Sequence, residues 1–210
     1  MNAGTQSDFD KIAPYYDRLA RLVYGKHIVH AQTHHLKSIP ASSKIVILGG
    51  GTGWIISEVL KATHNCQIWY IEASRKMLQM ATENCDNDQV RFIRGTENDL
   101  PVGITFDVII TGFYLDLFTD HSIAKVIQHI SRSLHPQGRW LVTDFVINTY
   151  WHRVLCWCMY RFFRWYCTID ATRLPPWEDT MRQIGFRAEK ERNFYLGFIK
   201  SVLYKQDHSF

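Results

Sequence analysis

The chain has 210 residues, a length that fits one α/β domain able to bury roughly 70% of its unfolded surface without staples. Its 24 basic and 20 acidic side chains leave a net charge of +4 with no dense Lys/Arg block, which argues against a nucleic-acid partner. The five cysteines, Cys66, Cys85, Cys156, Cys158 and Cys167, show no regular spacing and no CxxC pair, which argues against a disulfide framework or a zinc site.

In chain order, residues 8–36 read as a helical N-terminal cap, with Ile12, Tyr15, Tyr16, Leu19, Leu22 and Val23 at near-helical spacing. Lys44 to Leu48 is an apolar strand that runs into glycines, and Trp54 to Ala62 follows as a helix. Gln67 to Ile71 is a strand, and Ser74 caps a helix to about Glu83. Val90 to Ile93 and Phe106 to Ile110 are strands, the second apolar enough to be buried on both faces. Asp120 caps a helix whose stripe is Ile123, Val126, Ile127, Ile130 and Leu134. Pro136 and Gly138 turn the chain into a strand from Trp140 to Phe145.

After residue 148 the pattern changes. An aromatic and basic lid insertion covers about 148–176, with a helix from Tyr150 to Cys167. Trp177 to Ile184 is a short helix ended by Gly185, and Phe186–Arg192 and Phe198–Tyr204 form an antiparallel hairpin. The fold predicted is a single α/β domain over residues 1–210, a Rossmann-like doubly wound sheet, mostly parallel with an antiparallel C-terminal hairpin.

The run Gly49-Gly50-Gly51-Thr52-Gly53 lies between a strand and a helix, where glycines bring backbone N–H groups and a helix N-terminus close to a ligand. A dinucleotide fingerprint needs a small residue at its sixth position, and here that position is Trp54. No Gly-Lys-Ser/Thr follows, so a Walker A loop is absent.

The G-x-G-x-G run resembles motif I of the class I S-adenosylmethionine-dependent methyltransferases. The likeness is strongest to the ubiquinone and menaquinone biosynthesis branch and extends over roughly residues 8–205. Phe9 to Asp17 resembles that branch's opening helix, and Ile71-Glu72 its acidic end of the second strand. Gly95 to Pro101 resembles the adenine segment, and Leu134-His135-Pro136-Gln137-Gly138 the turn before the fifth strand. The resemblance implies S-adenosyl-L-methionine as cofactor, held by Tyr16, Gly49, Gly50, Gly51, Gly53, Glu72, Ala73, Met77, Thr96, Glu97, Thr111, Gly112 and Phe113. The chain departs from the family at three places. Ile47 stands where an acid is usual, Thr96 where Asp is usual, and Ala20 where the quinone branch has Asn.

The function expected is methyl transfer to a small or lipid-like hydrophobic acceptor, with no metal. Tyr16, Asp116 and His121 are the candidate catalytic residues near the methyl-bearing end. The alternatives are a non-catalytic methyltransferase-fold binding protein, which Ile47 would suit, and an NAD-dependent oxidoreductase, which Trp54 disfavours. On the helix of the insertion Arg153, Arg161 and Arg164 share one sector, while Trp151, Leu155, Phe162, Trp165 and Tyr166 spread around the rest. That is a basic amphipathic helix suited to covering a large apolar acceptor or to peripheral membrane contact through 150–167. No signal-peptide pattern and no apolar run of about 18 residues is present, so a cytoplasmic protein is expected, with any membrane contact at the inner face.

Overall fold

The computed structural model describes residue 10, residue 13, residues 22–166 (backbone only for 162–166) and residues 171–207. Seven strands form one sheet: β1 Lys44–Leu48, β2 Gln67–Glu72, β3 Val90–Arg94, β4 Phe106–Gly112, β5 Leu134–Phe145, β6 Phe186–Phe194 and β7 Ile199–Gln206. Their order is β3-β2-β1-β4-β5-β7-β6. The first five pair in parallel, and β7 runs antiparallel between β5 and β6. The chain leaves β1 toward β2 on one side and returns to β4 on the other. Such a reversal opens a crevice beyond the carboxyl ends of the strands, where ligands of doubly wound sheets bind.

The helices are α1 His27–Thr33, α2 Trp54–Ala62, α3 Arg75–Glu83, α4 Ile123–Ser131, α5 Tyr150–Tyr166 and α6 Trp177–Gln183. Strand residues alternate between two cores, as the two-residue period of a strand requires. Val46, Leu48, Trp69, Ile71 and Ile109 pack with the apolar stripe of α4 and with Trp177 and Met181 of α6. Ile45, Ile47, Ile68, Tyr70 and Val108 pack with Ile55, Ile56 and Val59 of α2 and Ala81 of α3. A third, smaller core joins the N-terminal segment to α5 and the β5–β7 end of the sheet, through Tyr24, Ile28, Phe145, Cys156, Met159, Tyr160 and Phe198.

Four local expectations are corrected. The N-terminal cap is not one helix over 8–36: helical residues 22–24 stop at Gly25, whose φ of +59° no continuing helix adopts, before α1 begins. Leu22 and Val23 are exposed there, whereas Tyr24 is buried. Asp120 is not the cap of α4, which starts after Ser122 and has no side-chain cap; Asp120 pairs with Arg173 instead. Leu134 leaves the helical stripe to open β5, pairing with Phe106, and residues 135–138 fall out of register before Arg139 pairs with Val108. On α5 the side chains turned to the protein are His152, Cys156, Met159 and Tyr160, while Trp151, Val154 and Trp157 are exposed on the side that carries Arg153 and Arg161. Among the described residues no helix is long and apolar enough to cross a membrane.

Candidate active site

The glycine loop follows β1 directly. Gly49, Gly51 and Gly53 have φ of +65°, +67° and +90°, the left-handed region that side-chain-bearing residues avoid. Space adds to the requirement. A Cβ on Gly53 would lie 2.6 Å from the Ala81 Cβ, so the third glycine lets α2 start against α3. A Cβ on Gly50 would collide with the Tyr70 ring, whose hydroxyl donates to the Gly51 carbonyl at 2.8 Å. Trp54, one step later, is only half-buried, and the close approach has moved to Gly53.

Glu72 ends β2 and holds this loop. One carboxylate oxygen accepts the Gly51 N–H at 2.9 Å, and the other accepts the Ser74 N–H at 2.8 Å. Burial pushes its carboxyl up to about 7, against the pull of the N–H groups of Ser74, Gly51 and Ala73, with the charge of Asp10 adding to the rise. Asp10 itself accepts the Ser74 hydroxyl at 2.5 Å and the Lys76 N–H at 3.0 Å, and so clips the opening segment to the start of α3. Ser74 in turn caps α3 by accepting the Met77 N–H at 3.1 Å; the Met77 side chain is buried. Asp10 lies in the segment that resembles the opening helix, and nothing in the sequence marks its contact with Ser74. Ile47, at the position of the usual acid, is buried in the core and pairs with Tyr70 and Ile110.

After β3, Thr96 and Asp99 form a capping box over the turn Glu97–Asp99, with the Thr96 N–H donating to Asp99 at 2.8 Å. Glu97 is buried. Its carboxylate accepts the Tyr114 hydroxyl at 2.7 Å, and its carbonyl lies 3.0 Å from the His129 ring nitrogen. The Tyr114 ring lies against the glycine loop, 2.5 Å from where a Gly49 Cβ would stand. Burial and the Glu97 charge hold the Tyr114 hydroxyl well above its ordinary pKa, so it stays a proton donor. The Thr111 hydroxyl is turned inward and accepts the Trp140 indole N–H at 3.0 Å. A Cβ on Gly112 would meet the Gln32 side chain, and Phe113, at φ of +53°, packs on Phe145 with centroids 4.7 Å apart.

Asp116 is buried on the turn Leu115–Leu117 just beyond β4, whereas His121 is exposed in the turn that leads to α4. Tyr16 lies outside the described residues. Sequence reasoning missed Asp144, a fully buried carboxyl near the end of β5 whose oxygens accept three backbone N–H groups. Its signal in the sequence is an acid beside Thr143 in the mostly apolar run Trp140–Phe145.

Residues 45–138 match a methyltransferase domain family. The chain is 26% identical over 144 residues to the malonyl-[acyl-carrier protein] O-methyltransferase of Priestia megaterium, covering 68% of this chain and 51% of that protein. It is 26% identical over 157 residues to the protein of the same name from Halalkalibacterium halodurans, covering 68% and 55%. The chain thus spans about half the length of the curated relatives it matches. Among solved structures, the Haloferax volcanii complex of the Trm112 methyltransferase activator with a methyltransferase matches with a TM-score of 0.76 at 16% identity, over 98% of this chain and 99% of that one. DhpI in complex with SAH matches with a TM-score of 0.73 at 13% identity, over 99% and 100%. These two likenesses are of fold, and the sequence relatives support the class without singling out the quinone branch. The methyltransferase domain matched over residues 45–138, the curated methyltransferase relatives and this strand order together support a class I S-adenosylmethionine-dependent methyltransferase.

Proposed function

We propose that the chain transfers the methyl group of S-adenosylmethionine to a small or lipid-like hydrophobic acceptor. The observation that carries this reading is the Glu72 carboxylate fixed to the Gly51 N–H at the β1/β4 crevice. An ionised carboxylate has about four acceptor positions, so beside the N–H groups of Ser74, Gly51 and Ala73 it can still accept from a ribose hydroxyl. No side chain caps the start of α2, so its first turn can face the ligand's polar end, and Thr96 and Glu97 flank the place of the adenine. These residues fit an adenosyl group. Tyr16, Ala73, Met77, Gly112 and Phe113 complete the proposed cofactor set; Thr111 joins it through its backbone, because its hydroxyl is spent on Trp140. The cofactor's sulfonium supplies an activated methyl group, and the chain's task is alignment, worth up to about 7–11 kcal/mol of barrier.

Two features favour the lipid-like end of the acceptor range. The third core leads from the strand ends to α5, and α5 presents Tyr150, Trp151, Val154 and Trp157 outward beside Arg153 and Arg161. Tryptophan and tyrosine mixed with arginine suit a membrane interface. The relatives named as O-methyltransferases favour oxygen as the accepting atom.

Thermal unfolding with S-adenosylmethionine, S-adenosylhomocysteine or NAD in excess tests the reading. A ligand at 100 times its dissociation constant stabilises by about 2.7 kcal/mol. At this chain length that raises the midpoint by roughly 5–10 °C. The two adenosyl compounds should do so and NAD should not. No shift with either adenosyl compound would favour the non-catalytic reading, for which the burial of Ile47 in place of an acid is the specific support.

A further inference from the structure

Two carboxyl groups at the ends of β4 and β5 are left over by the cofactor contacts. Asp144 is fully satisfied: one oxygen accepts the N–H groups of Leu115 and Asp116 at 3.0 and 3.3 Å, and the other accepts Phe145 N–H at 2.8 Å. Asp116 is not. It is 5% exposed, and its Oδ1 has no hydrogen-bond partner among the described residues. A buried acceptor left unpaired costs roughly 1–3 kcal/mol, and more when charged, so a retained orphan of this kind is a place for a ligand donor.

The surroundings define what that donor is attached to. The Tyr160 hydroxyl donates to the Asp116 carbonyl at 2.8 Å, which ties the turn to α5. Tyr24 donates to the Met159 sulfur at 3.5 Å and has its ring 5.5 Å from that of Phe145. The titratable groups that feel the Asp116 carboxyl are Asp144 from β5, Tyr24 from the N-terminal segment, and Cys156 and Tyr160 from α5. Asp120, from the loop before α4, joins them in acting on Tyr160. Burial first, and then the Asp116 charge, raise both phenols and push the Cys156 thiol up to about 12. All three therefore remain neutral near pH 7, and none of these groups is a cation that could satisfy a carboxylate. Burial pushes Asp116 itself up to about 7, the range in which a carboxyl both accepts and returns protons.

We infer that Asp116, positioned by Asp144, is the acceptor-binding carboxyl of the site, and that the acceptor is an apolar, ring-bearing molecule with an ionisable hydroxyl lodged against Tyr24, Phe145, Met159 and Tyr160. This rests on the methyl-transfer reading above. As the acceptor oxygen bonds to the methyl carbon, the carbon–sulfur bond breaks and its electron pair stays on sulfur, giving S-adenosylhomocysteine. The hydroxyl proton passes to the Asp116 carboxylate and from there to water. Asp144 does not touch the acceptor. It holds the backbone of residues 115 and 116, and its proximity keeps the two carboxyl groups from ionising together.

The test is a calorimetric titration of 2-naphthol, 2-methoxynaphthalene and naphthalene, with and without saturating S-adenosylhomocysteine, into wild type, Asp116→Asn and Asp116→Ala. A charge-assisted hydrogen bond should favour the naphthol over its methyl ether by at least about tenfold in wild type at pH 8. That preference should weaken as pH falls through about 7. Both variants should bind the two within about twofold of each other at every pH, while their affinity for S-adenosylhomocysteine, which also reports their folding, stays at the wild-type value. A preference that survives in both variants overturns the assignment, as does failure of wild type to bind any of the three rings. If the Asp116-dependent preference is present but S-adenosylhomocysteine does not bind, the carboxyl assignment stands and the methyl-transfer reading falls.

Discussion

Glu72 and Asp116 are two carboxyl groups at the ends of β2 and β4, the strands on either side of β1, both buried and both pushed up to about 7 by desolvation. Their surroundings differ. Glu72 uses both oxygens to hold backbone N–H groups of Gly51 and Ser74, and its end of the sheet is closed by Gly49, Gly50 and Gly53, which leave no room for a side chain. Asp116 leaves an oxygen unpartnered among the described residues, beside a small core drawn from separate elements and tied to it through Tyr160. The same displaced acidity therefore accompanies, at one end, a carboxyl already committed to bracing the loop of the proposed cofactor site and, at the other, one with an oxygen left over for an acceptor. Substitutions at the glycine end should cost stability, and those at the cap end should cost acceptor binding while the fold persists.

The largest effect is expected at Gly53. Valine there must hold φ of +90° and place a Cβ 2.6 Å from that of Ala81 and 2.7 Å from its Cα. Left-handed strain of about 1–2 kcal/mol and overpacking of about 1–3 kcal/mol together give roughly 2–5 kcal/mol. The unfolding midpoint should drop by roughly 4–20 °C. Gly25 is the control. It shares a positive φ but has nothing within 4 Å, so Gly25→Ala should cost about 1–2 kcal/mol, the strain alone. Equal losses at the two positions, read by thermal denaturation, would show that space at the α2–α3 contact is not the constraint.

The contrast also explains what could be read from the sequence. At the glycine end the signals are local: an apolar run, glycines at fixed spacing, then a helical stripe, all within residues 44–62. The Ser74 cap and the two-faced β4 are legible for the same reason. At the cap end, the proposed acceptor site draws on residues from the turn after β4, from β5, from α5 and from the N-terminal segment, and no spacing announces it. Asp144 sits in the run Trp140–Phe145, which reads as strand because its neighbours are apolar, and nothing local shows that its carboxyl turns toward the backbone of residues 115 and 116. The break at Gly25 is signalled by the glycine alone, and the helical spacing from Ile12 to Val23 carries the reading through it.

Glu72→Gln sharpens the comparison through pH. The ordinary carboxyl titrates at 4.5 and the folded one near 7, so between these values the unfolded chain binds fewer protons. Stability from this group is complete below pH 4.5 and is lost as pH rises through about 7. The glutamine variant lacks that slope. The stability difference between the two proteins should therefore move in the variant's favour by about 3 kcal/mol across this range. Adenosyl binding should meanwhile weaken by roughly 10–100-fold in the variant, because an amide accepts with only one of its two terminal atoms. A pH-independent difference in urea unfolding would mean that Glu72 ionises freely and is no brace.

A smaller loss is expected at Tyr114, the other wall of the glycine loop. Tyr114→Phe keeps the ring beside Gly49 and removes the hydroxyl that donates to Glu97 at 2.7 Å and accepts the Glu97 N–H at 3.3 Å. A charged buried acceptor that loses one donor costs about 1.5–3 kcal/mol, reduced here because the Asn98 side chain still reaches Glu97 at 3.3 Å. No change in stability would mean that the turn Glu97–Asp99 is set by its capping box alone.

On the stability scale the smallest effect lies at the outer face of α5, where the cap-end logic is at its purest. Arg153 and Arg161 are exposed and occur in no ion pair among the described residues, so replacing both with Gln should leave stability within about 0.5 kcal/mol. Their contribution to an anionic surface is about 1 kcal/mol each, so the double variant should bind phosphatidylserine vesicles roughly thirtyfold more weakly in co-sedimentation at low salt. Trp157→Gln should weaken binding by an apolar share that added salt does not screen, whereas the arginine share should vanish at high salt. Wild-type protein left wholly in the supernatant at low salt would remove membrane contact from the proposed function. The exposed tryptophans would then cover an acceptor from solution, and the wedge between the two ends of the sheet would be one of acceptor chemistry alone.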